Sequence, residues 1–222
     1  LNDTERPIAM NMFDVMNGLP AKYINKNLAI VTADDSWGME SAAGMRERAE
    51  KLGWKVVIEE TVPYGTREWG PILTKIRKAE PAIIYVEIVY SPDLITFYRQ
   101  FMEDPTSSLI NLGYGLALPD FISNLGAEGN GLMGETTGLP GPAAPTPESK
   151  AWVEKFKSVY DAEPAAGSFA VYSGVVMWAE AVKAVGDVKN YKAINAYIVG
   201  NEFESIGGKR LKFDADNKIS IK

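Results

Sequence analysis

Apolar and polar residues along the first two-thirds of the chain form a pattern in which predicted strands and helices alternate. Short apolar runs predict buried strands, and longer segments with apolar residues three or four positions apart predict helices. The predicted strands are 27–32, 54–59, 82–88, 108–112 and 131–137, and the predicted helices are 7–17, 36–52, 69–79, 91–102 and 118–125. Strands that alternate with helices favour a parallel sheet with helices on both faces, so the predicted class is α/β.

The pattern changes near residue 138, where the chain becomes rich in proline. Residues 138–147 contain four prolines, a composition typical of a loop. We therefore expect a crossing between two domains here, the first over 1–138 and the second over 139–222. Three further helices are predicted, at 147–160, 168–185 and 191–199. Only one convincing strand, 210–213, accompanies them, so the second domain is expected to be an incomplete lobe.

The helix predicted over 168–185 is apolar on nearly all sides, which is typical of a buried helix. Its apolar side chains include Phe169, Val171, Tyr172, Val175, Val176 and Trp178. We expect these side chains to form an exposed face in this chain alone, because the sheet that would bury them is expected in sequence preceding Leu1. A start at Leu1, without an initiator methionine or a signal peptide, indicates a processed or cut chain. The missing N-terminal segment, or a second copy of the chain, would then cover 168–185.

Composition and charge exclude several classes of protein. The chain has no Cys and no His, which excludes disulfides, thiolate metal sites, cysteine nucleophiles and Ser-His-Asp catalysis. Its net charge is −6 and its pI is about 4.9, so it lacks the basic patch that nucleic acids or anionic lipids require. No phosphate-binding glycine motif occurs, and Asp214–Asn217 lacks the glycine and distal glutamate of a calcium loop. We therefore expect no nucleic-acid partner, no metal and no cofactor.

Side chains suited to ligand binding follow three of the predicted strands. In open parallel sheets, ligands bind beyond the carboxyl ends of the strands. The candidate residues at these ends are Asp35, Ser36, Trp37, Glu87, Tyr90 and Tyr114. Ser36 and Ser91 are the expected caps of two helices, whose free N–H groups would favour an anionic group such as a carboxylate at the same edge.

Each candidate also has an ordinary structural role. Asp35 can belong to a solvated loop or cap a helix, and Trp37 can pack on the sheet. Glu87 is either a surface residue or the counter-charge of a ligand ammonium group, because a buried carboxylate needs a partner. Tyr90 and Tyr114 suit a pocket wall and a lobe interface equally well, because their rings are amphipathic.

Seven segments, spread over nearly the whole chain, carry a resemblance to a known family. They are Lys26–Gly38, Lys51–Val57, Tyr64–Arg77, Glu80–Ile84, Gly126–Leu132, Ala170–Ala181 and Phe203–Phe213. In order and residue type they resemble the periplasmic leucine/isoleucine/valine-binding protein family, the type I solute receptors of ABC transporters. The resemblance implies two α/β lobes joined by a hinge, with the ligand in the cleft. Residues 1–138 would be lobe two, and residues 139–222 the hinge crossing and the helical return segment of lobe one.

The resemblance also implies roles for individual residues. Trp37 stands where the family has an aromatic residue over the ligand, and Tyr90 falls near a second pocket aromatic. The acid that often follows the fourth strand is absent from Gly113–Leu116, and Glu87 is a possible substitute. The implied protein is a periplasmic or extracellular receptor without enzymatic activity. It would bind a small amino acid or related carboxylate and deliver it to a membrane permease.

Two alternatives remain at this point. One is a ligand-sensing regulator or receptor ectodomain, because a fold does not determine function. The other is an enzyme that uses Glu87 and Asp35 as its two acids, which requires that their pKa values differ within one cleft. The absence of histidine counts against the enzyme, because histidine is the most frequent general base.

Overall fold

The computed structural model describes residues 5–135, 146–206, 210–213 and 219–221. The chain divides into two compact units, one that ends at Glu135 and one that comprises the remainder. The expected boundary at 138 falls within residues 136–145, which lie outside the described residues. Each unit has its own secondary structure.

The first unit has the alternating strands and helices that the sequence predicts. Its strands are β1 (Asn27–Ala33), β2 (Lys55–Val62), β3 (Ile83–Glu87) and β4 (Leu109–Asn111). Its helices are α1 (Glu5–Gly18), α2 (Ser36–Lys51), α3 (Gly70–Ala79), α4 (Ser91–Met102) and α5 (Pro119–Leu125). Two short 3-10 helices, Gly113–Ala117 and Gly126–Gly129, flank α5. The predictions for these four strands and five helices are confirmed within three residues at each end.

The four strands form one parallel sheet in the order β2-β1-β3-β4. Alternate residues of a strand point to opposite faces, and both faces are covered. Leu28 and Ile30 pack with side chains of α1 and α2, whereas Ala29 and Val31 pack with side chains of α3 and α4. The predicted α/β architecture, with helices on both faces of a parallel sheet, is therefore confirmed for this unit.

The strand order creates a crevice between β1 and β3. The chain leaves β1 into α2, on one face of the sheet, and leaves β3 into α4, on the opposite face. The two connections therefore diverge at the carboxyl ends of neighbouring strands. In parallel α/β sheets this divergence is the usual place for a ligand.

The predicted fifth strand, 131–137, is wrong within the described residues. Met133 forms only an isolated parallel bridge with Asn111. Gly131, two residues before Met133, has a positive φ of 93°, and Gly134 follows Met133 directly. Glycines on both sides of one bridging residue limit the extended run that a strand needs.

The second unit contains three helices and a small antiparallel sheet. Its elements are α6 (Pro147–Tyr160), α7 (Ala166–Val185), α8 (Tyr191–Gly200), β5 (Glu202–Glu204), β6 (Arg210–Phe213) and β7 (Ile219–Ile221). The strands pair in the order β5-β6-β7. The expectation of one strand is therefore wrong, because β5 and β7 are three residues long and give no readable alternation. The turn expected at Asp214–Asn217 lies outside the described residues.

Helix α7 is buried on one side only, although its sequence is apolar almost all round. Its buried residues, Phe169, Ser173, Met177 and Ala181, recur every fourth position. The exposed apolar side chains are Val171, Tyr172, Val175 and Trp178. The expected exposed face is thus confirmed for these four side chains, whereas Val176 is half-buried. The expectation is wrong for Phe169, which packs on Trp152 with ring centroids 4.6 Å apart. None of the helices that the structure describes is long and apolar enough to cross a membrane.

Candidate functional site

The candidate site lies at the carboxyl edge of the parallel sheet in the first unit. We call it the rim, and it comprises residues 34–37 after β1, 62–65 at the end of β2, 87–90 at the end of β3 and 113–114 after β4. The rim surrounds the crevice between β1 and β3. It brings together all six residues that the sequence singled out, which follow three different strands.

Asp35 organises the β1 side of the rim. One of its carboxylate oxygens accepts a hydrogen bond from the Gly38 amide at 2.6 Å, which makes Asp35 the N-cap of α2. The expected cap, Ser36, is instead the exposed first residue of the helix. Asp35 has the extended backbone (φ −146°, ψ 174°) that lets a cap side chain fold back onto the helix.

Helix α4 also begins differently from the prediction. Its N-cap is Tyr90, whose side chain makes no capping hydrogen bond, and Ser91 is the buried first residue of the helix. Pro92 in the first turn needs no hydrogen-bond acceptor for a backbone amide. The helix therefore begins at the predicted residue without the predicted cap.

Two tyrosines form an exposed aromatic surface on the rim. The rings of Tyr64 and Tyr90 meet edge to face, with centroids 6.4 Å apart, and the side chains are 48% and 41% exposed. The Tyr64 hydroxyl donates to the second carboxylate oxygen of Asp35 at 2.7 Å. Burial and this carboxylate raise the pKa of Tyr64 to about 12, so the phenol stays neutral at physiological pH.

The loop that carries Tyr64 is fixed by a second acid. Asp93, which is fully buried in the first turn of α4, accepts a hydrogen bond from the Gly65 amide at 2.7 Å. Neither Tyr64 nor Asp93 was a sequence-based candidate for the site. Tyr64 could have been found from its position, because it follows β2, and the carboxyl ends of β2 and β1 are expected at the same edge of the sheet.

Trp37 lies in the first turn of α2, half-buried at the crevice. The helix packs tightly on the strand before it, since a Cβ at Gly38 would lie 2.2 Å from the carbonyl oxygen of Ala33. The indole Nε1 of Trp37 is buried and makes no hydrogen bond of ordinary geometry with the described residues. It points toward the Glu87 carboxyl group and favours the charged form of that group.

Glu87 is completely buried at the end of β3, so the alternative of a surface residue is wrong. Its carboxylate accepts a hydrogen bond from the Tyr85 hydroxyl at 2.7 Å and a longer one from the Tyr114 amide at 3.4 Å. Tyr114 therefore contacts the acid through its backbone. These hydrogen bonds lower the pKa of Glu87, but the effect of burial is larger and raises it above its ordinary value.

A second acid, Glu135, lies beside Glu87 and was missed in the sequence. Burial raises its pKa to about 8, and the neighbouring Glu87 carboxylate adds to the effect. The sequence gives little signal for this contact, because the two glutamates are far apart along the chain. No group of three or more acidic side chains among the described residues is arranged to hold a metal ion.

The rim thus combines aromatic surfaces with a buried acidic group. This arrangement suits a small solute that has an apolar or aromatic body and a polar end. It does not support the two-acid enzyme that the sequence left open. Both carboxylate oxygens of Asp35 are occupied, one by the Gly38 amide and one by the Tyr64 hydroxyl, so Asp35 is not free to act as a second acid.

Comparisons with known proteins identify the family. Residues 9–220 match the family model described as "Periplasmic binding protein". A curated relative is the leucine-, isoleucine-, valine-, threonine-, and alanine-binding protein of Pseudomonas aeruginosa. It is 22% identical over 87% of this chain and 50% of its own length. The chain spans about half the length of the curated relatives it matches.

Solved structures give the same result at the level of the fold. A protein of Silicibacter pomeroyi, assigned to a branched-chain amino acid ABC transporter, superposes with a TM-score of 0.80 at 26% identity. The match covers 96% of this chain and 55% of that one. An ABC transporter solute binding protein of R. palustris, solved in complex with benzoate, gives a TM-score of 0.78 at 19% identity. This match covers 98% of this chain and 57% of the R. palustris chain. Each of these proteins is named for binding or transport, and none as an enzyme.

Proposed function

Because this chain belongs to the periplasmic binding protein family, we propose that it forms the ligand-binding part of a solute receptor for an ABC importer. The observation that carries the proposal is the aromatic rim at the divergence of β1 and β3, where Tyr64 and Tyr90 are in ring contact and Trp37 lies in the first turn of the neighbouring helix α2. The first unit would be lobe two of the receptor. The second unit would contain the hinge crossing and the helical return segment of lobe one.

The proposed ligand is a small amino acid or a related carboxylate. The rings of Trp37 and Tyr90 offer apolar surface for the body of such a molecule. The exposed start of α2 at Ser36 presents backbone N–H groups suited to a carboxylate. The named relatives bind molecules of these kinds, namely leucine, isoleucine, valine, threonine and alanine in one case and benzoate in another.

Binding would work by closure of a second lobe of the intact protein over the rim. A ligand favours the closed form only through contacts that the open form lacks. Affinity near the micromolar range, about −8 kcal/mol, suits such a receptor. The partner would be a membrane permease that binds the closed form of the receptor. The location would be the periplasm or the extracellular side.

Ligand identification tests the proposal directly. The intact protein is purified without added solute, its bound small molecules are identified by mass spectrometry, and their affinity is measured by calorimetry. L-Leucine and benzoate serve as reference solutes. Trp37→Ala should abolish most of the binding, whereas Met39→Ala, on an exposed position of the same helix, should not. Equal affinity in the two variants would remove Trp37 from the site.

A further inference from the structure

The register of the sheet places two acids on either side of a glycine. Tyr85 in β3 pairs with Asn111 in β4, so two residues further along Glu87 stands next to Gly113. Beyond it, the Glu135 amide donates to the Gly113 carbonyl oxygen at 2.8 Å. Side chains of adjacent residues in a parallel sheet point to the same face. Glu87, Gly113 and Glu135 therefore form one row at the rim, on the face that α2 covers.

Gly113 makes the meeting of the two acids possible. A Cβ at this position would lie 1.9 Å from a carboxylate oxygen of Glu87, so no side chain fits between the acids. The glycine also has a positive φ of 48°, which other residues rarely adopt. The two glutamates face each other across this gap, and the Glu87 carboxylate raises the pKa of Glu135.

Among the described residues, the pair has hydrogen-bond donors around it but no cation. The Glu87 carboxylate accepts hydrogen bonds from the Tyr85 hydroxyl and the Tyr114 amide, and the Trp37 indole lies nearby. One oxygen of Glu135 is buried and has no hydrogen-bond partner among the described residues. The other titratable groups that face the pair are tyrosines, Tyr85 from β3 and Tyr64 from the loop after β2.

Neither carboxyl group forms an ion pair with a described lysine or arginine. In the described part of the chain, the groups that surround the pair are a phenol, an indole and a backbone amide. Two buried carboxylates side by side without a cation cannot both be charged, so one proton stays with the pair. A cation placed beside the two groups would stabilise both as carboxylates, so the proton could leave.

We propose that Glu87 and Glu135 hold one proton between them across Gly113 and release it when a solute with an ammonium group binds at the rim. The proposal rests on the proposed function and extends it, because it makes binding depend on the charge of the solute. An ammonium group supplies the positive charge that lets both carboxyl groups ionise. An aromatic carboxylate such as benzoate supplies none and leaves the proton in place.

The shared proton is tested first without any ligand. The side-chain carboxyl groups of glutamate are ¹³C-labelled in the intact protein, and their NMR signals are followed as a function of pH. One glutamate signal should titrate with a midpoint near 8. Glu135→Gln should remove this titration, and Glu128→Gln, at an exposed position of the same unit, should leave it unchanged. A wild-type protein in which every glutamate titrates in the ordinary acidic range would overturn the proposal.

The release step is tested by adding solutes to the same sample. Saturating L-leucine should move the alkaline midpoint to lower pH, whereas benzoate should not lower it. If L-leucine shifts the Trp37 indole signal while the midpoint stays near 8, binding occurs and the proposed release is wrong. If neither solute perturbs Trp37, the release step and the proposed function both fail for these solutes. The titration of the free protein would still show whether the proton is shared.

Discussion

Replacement of Gly113 by alanine should destabilise the first unit through two separable effects. The residue has φ +48°, and a left-handed conformation costs a non-glycine residue roughly 1–2 kcal/mol. The new Cβ would also lie 1.9 Å from a carboxylate oxygen of Glu87. Glu87 cannot move away cheaply, because it is fully buried and held by the Tyr85 hydroxyl and the Tyr114 amide. Overpacking of this kind costs roughly 1–3 kcal/mol, which gives a total of roughly 2–5 kcal/mol.

Gly53→Ala is the matched control for this experiment. Gly53 also has a positive φ, of 78°, but a Cβ there would meet nothing within 4 Å. Urea denaturation followed by circular dichroism should therefore show that Gly53→Ala lowers the free energy of unfolding by roughly 1–2 kcal/mol, from backbone strain alone. In a Glu87→Ala background, the cost of Gly113→Ala should fall towards that of the control. Equal losses for the two glycine variants in the wild-type background would refute the contact between Gly113 and Glu87.

Three further predictions concern the rim and α7. Trp37→Ala should weaken solute binding by roughly 2 kcal/mol or more, measured by calorimetry on the intact protein. The pKa of Glu135 is raised from 4.5 to about 8, so the stability linked to its proton is complete below pH 4.5 and is lost as the pH rises through 8. Glu135→Gln should therefore flatten the pH dependence of urea denaturation over this range, and an unchanged slope would contradict the shift. Val175→Glu, on the exposed face of α7, should reduce self-association of this chain in sedimentation experiments. A wild-type chain that is monomeric at high concentration would count against an uncovered face.

The elements of the first unit could be predicted because each strand is a clean apolar run between turn residues. The run at β1, for example, is buried at every residue after Asn27. The ends of the elements were harder to place. Asp35 and Ser36 are adjacent and both are good caps, and only the extended backbone at Asp35 decides between them. A choice of this kind depends on the path of the chain into the helix, which the local sequence does not specify.

The contact between Glu87 and Glu135 could not be predicted for a different reason. It depends on the order of β3 and β4 in the sheet and on the bridge at Met133, which join distant parts of the chain. Gly113 is the local feature that this contact requires, but a glycine after a strand is also typical of ordinary turns and loops. In α7 the sequence is apolar on both sides, so periodicity alone could not show that Phe169 faces inward.

The central claim is that a small solute binds against the rim, with Trp37 in contact with it. The most direct measurement is a ¹⁵N NMR titration of the intact protein with the solute that is extracted from it, observed at the tryptophan indole signals. The Trp37 signal, assigned by its loss in Trp37→Phe, should shift on binding. The signal of Trp69, which is fully buried beneath α4, should stay in place. Saturable binding that leaves the Trp37 signal unmoved would contradict the claim.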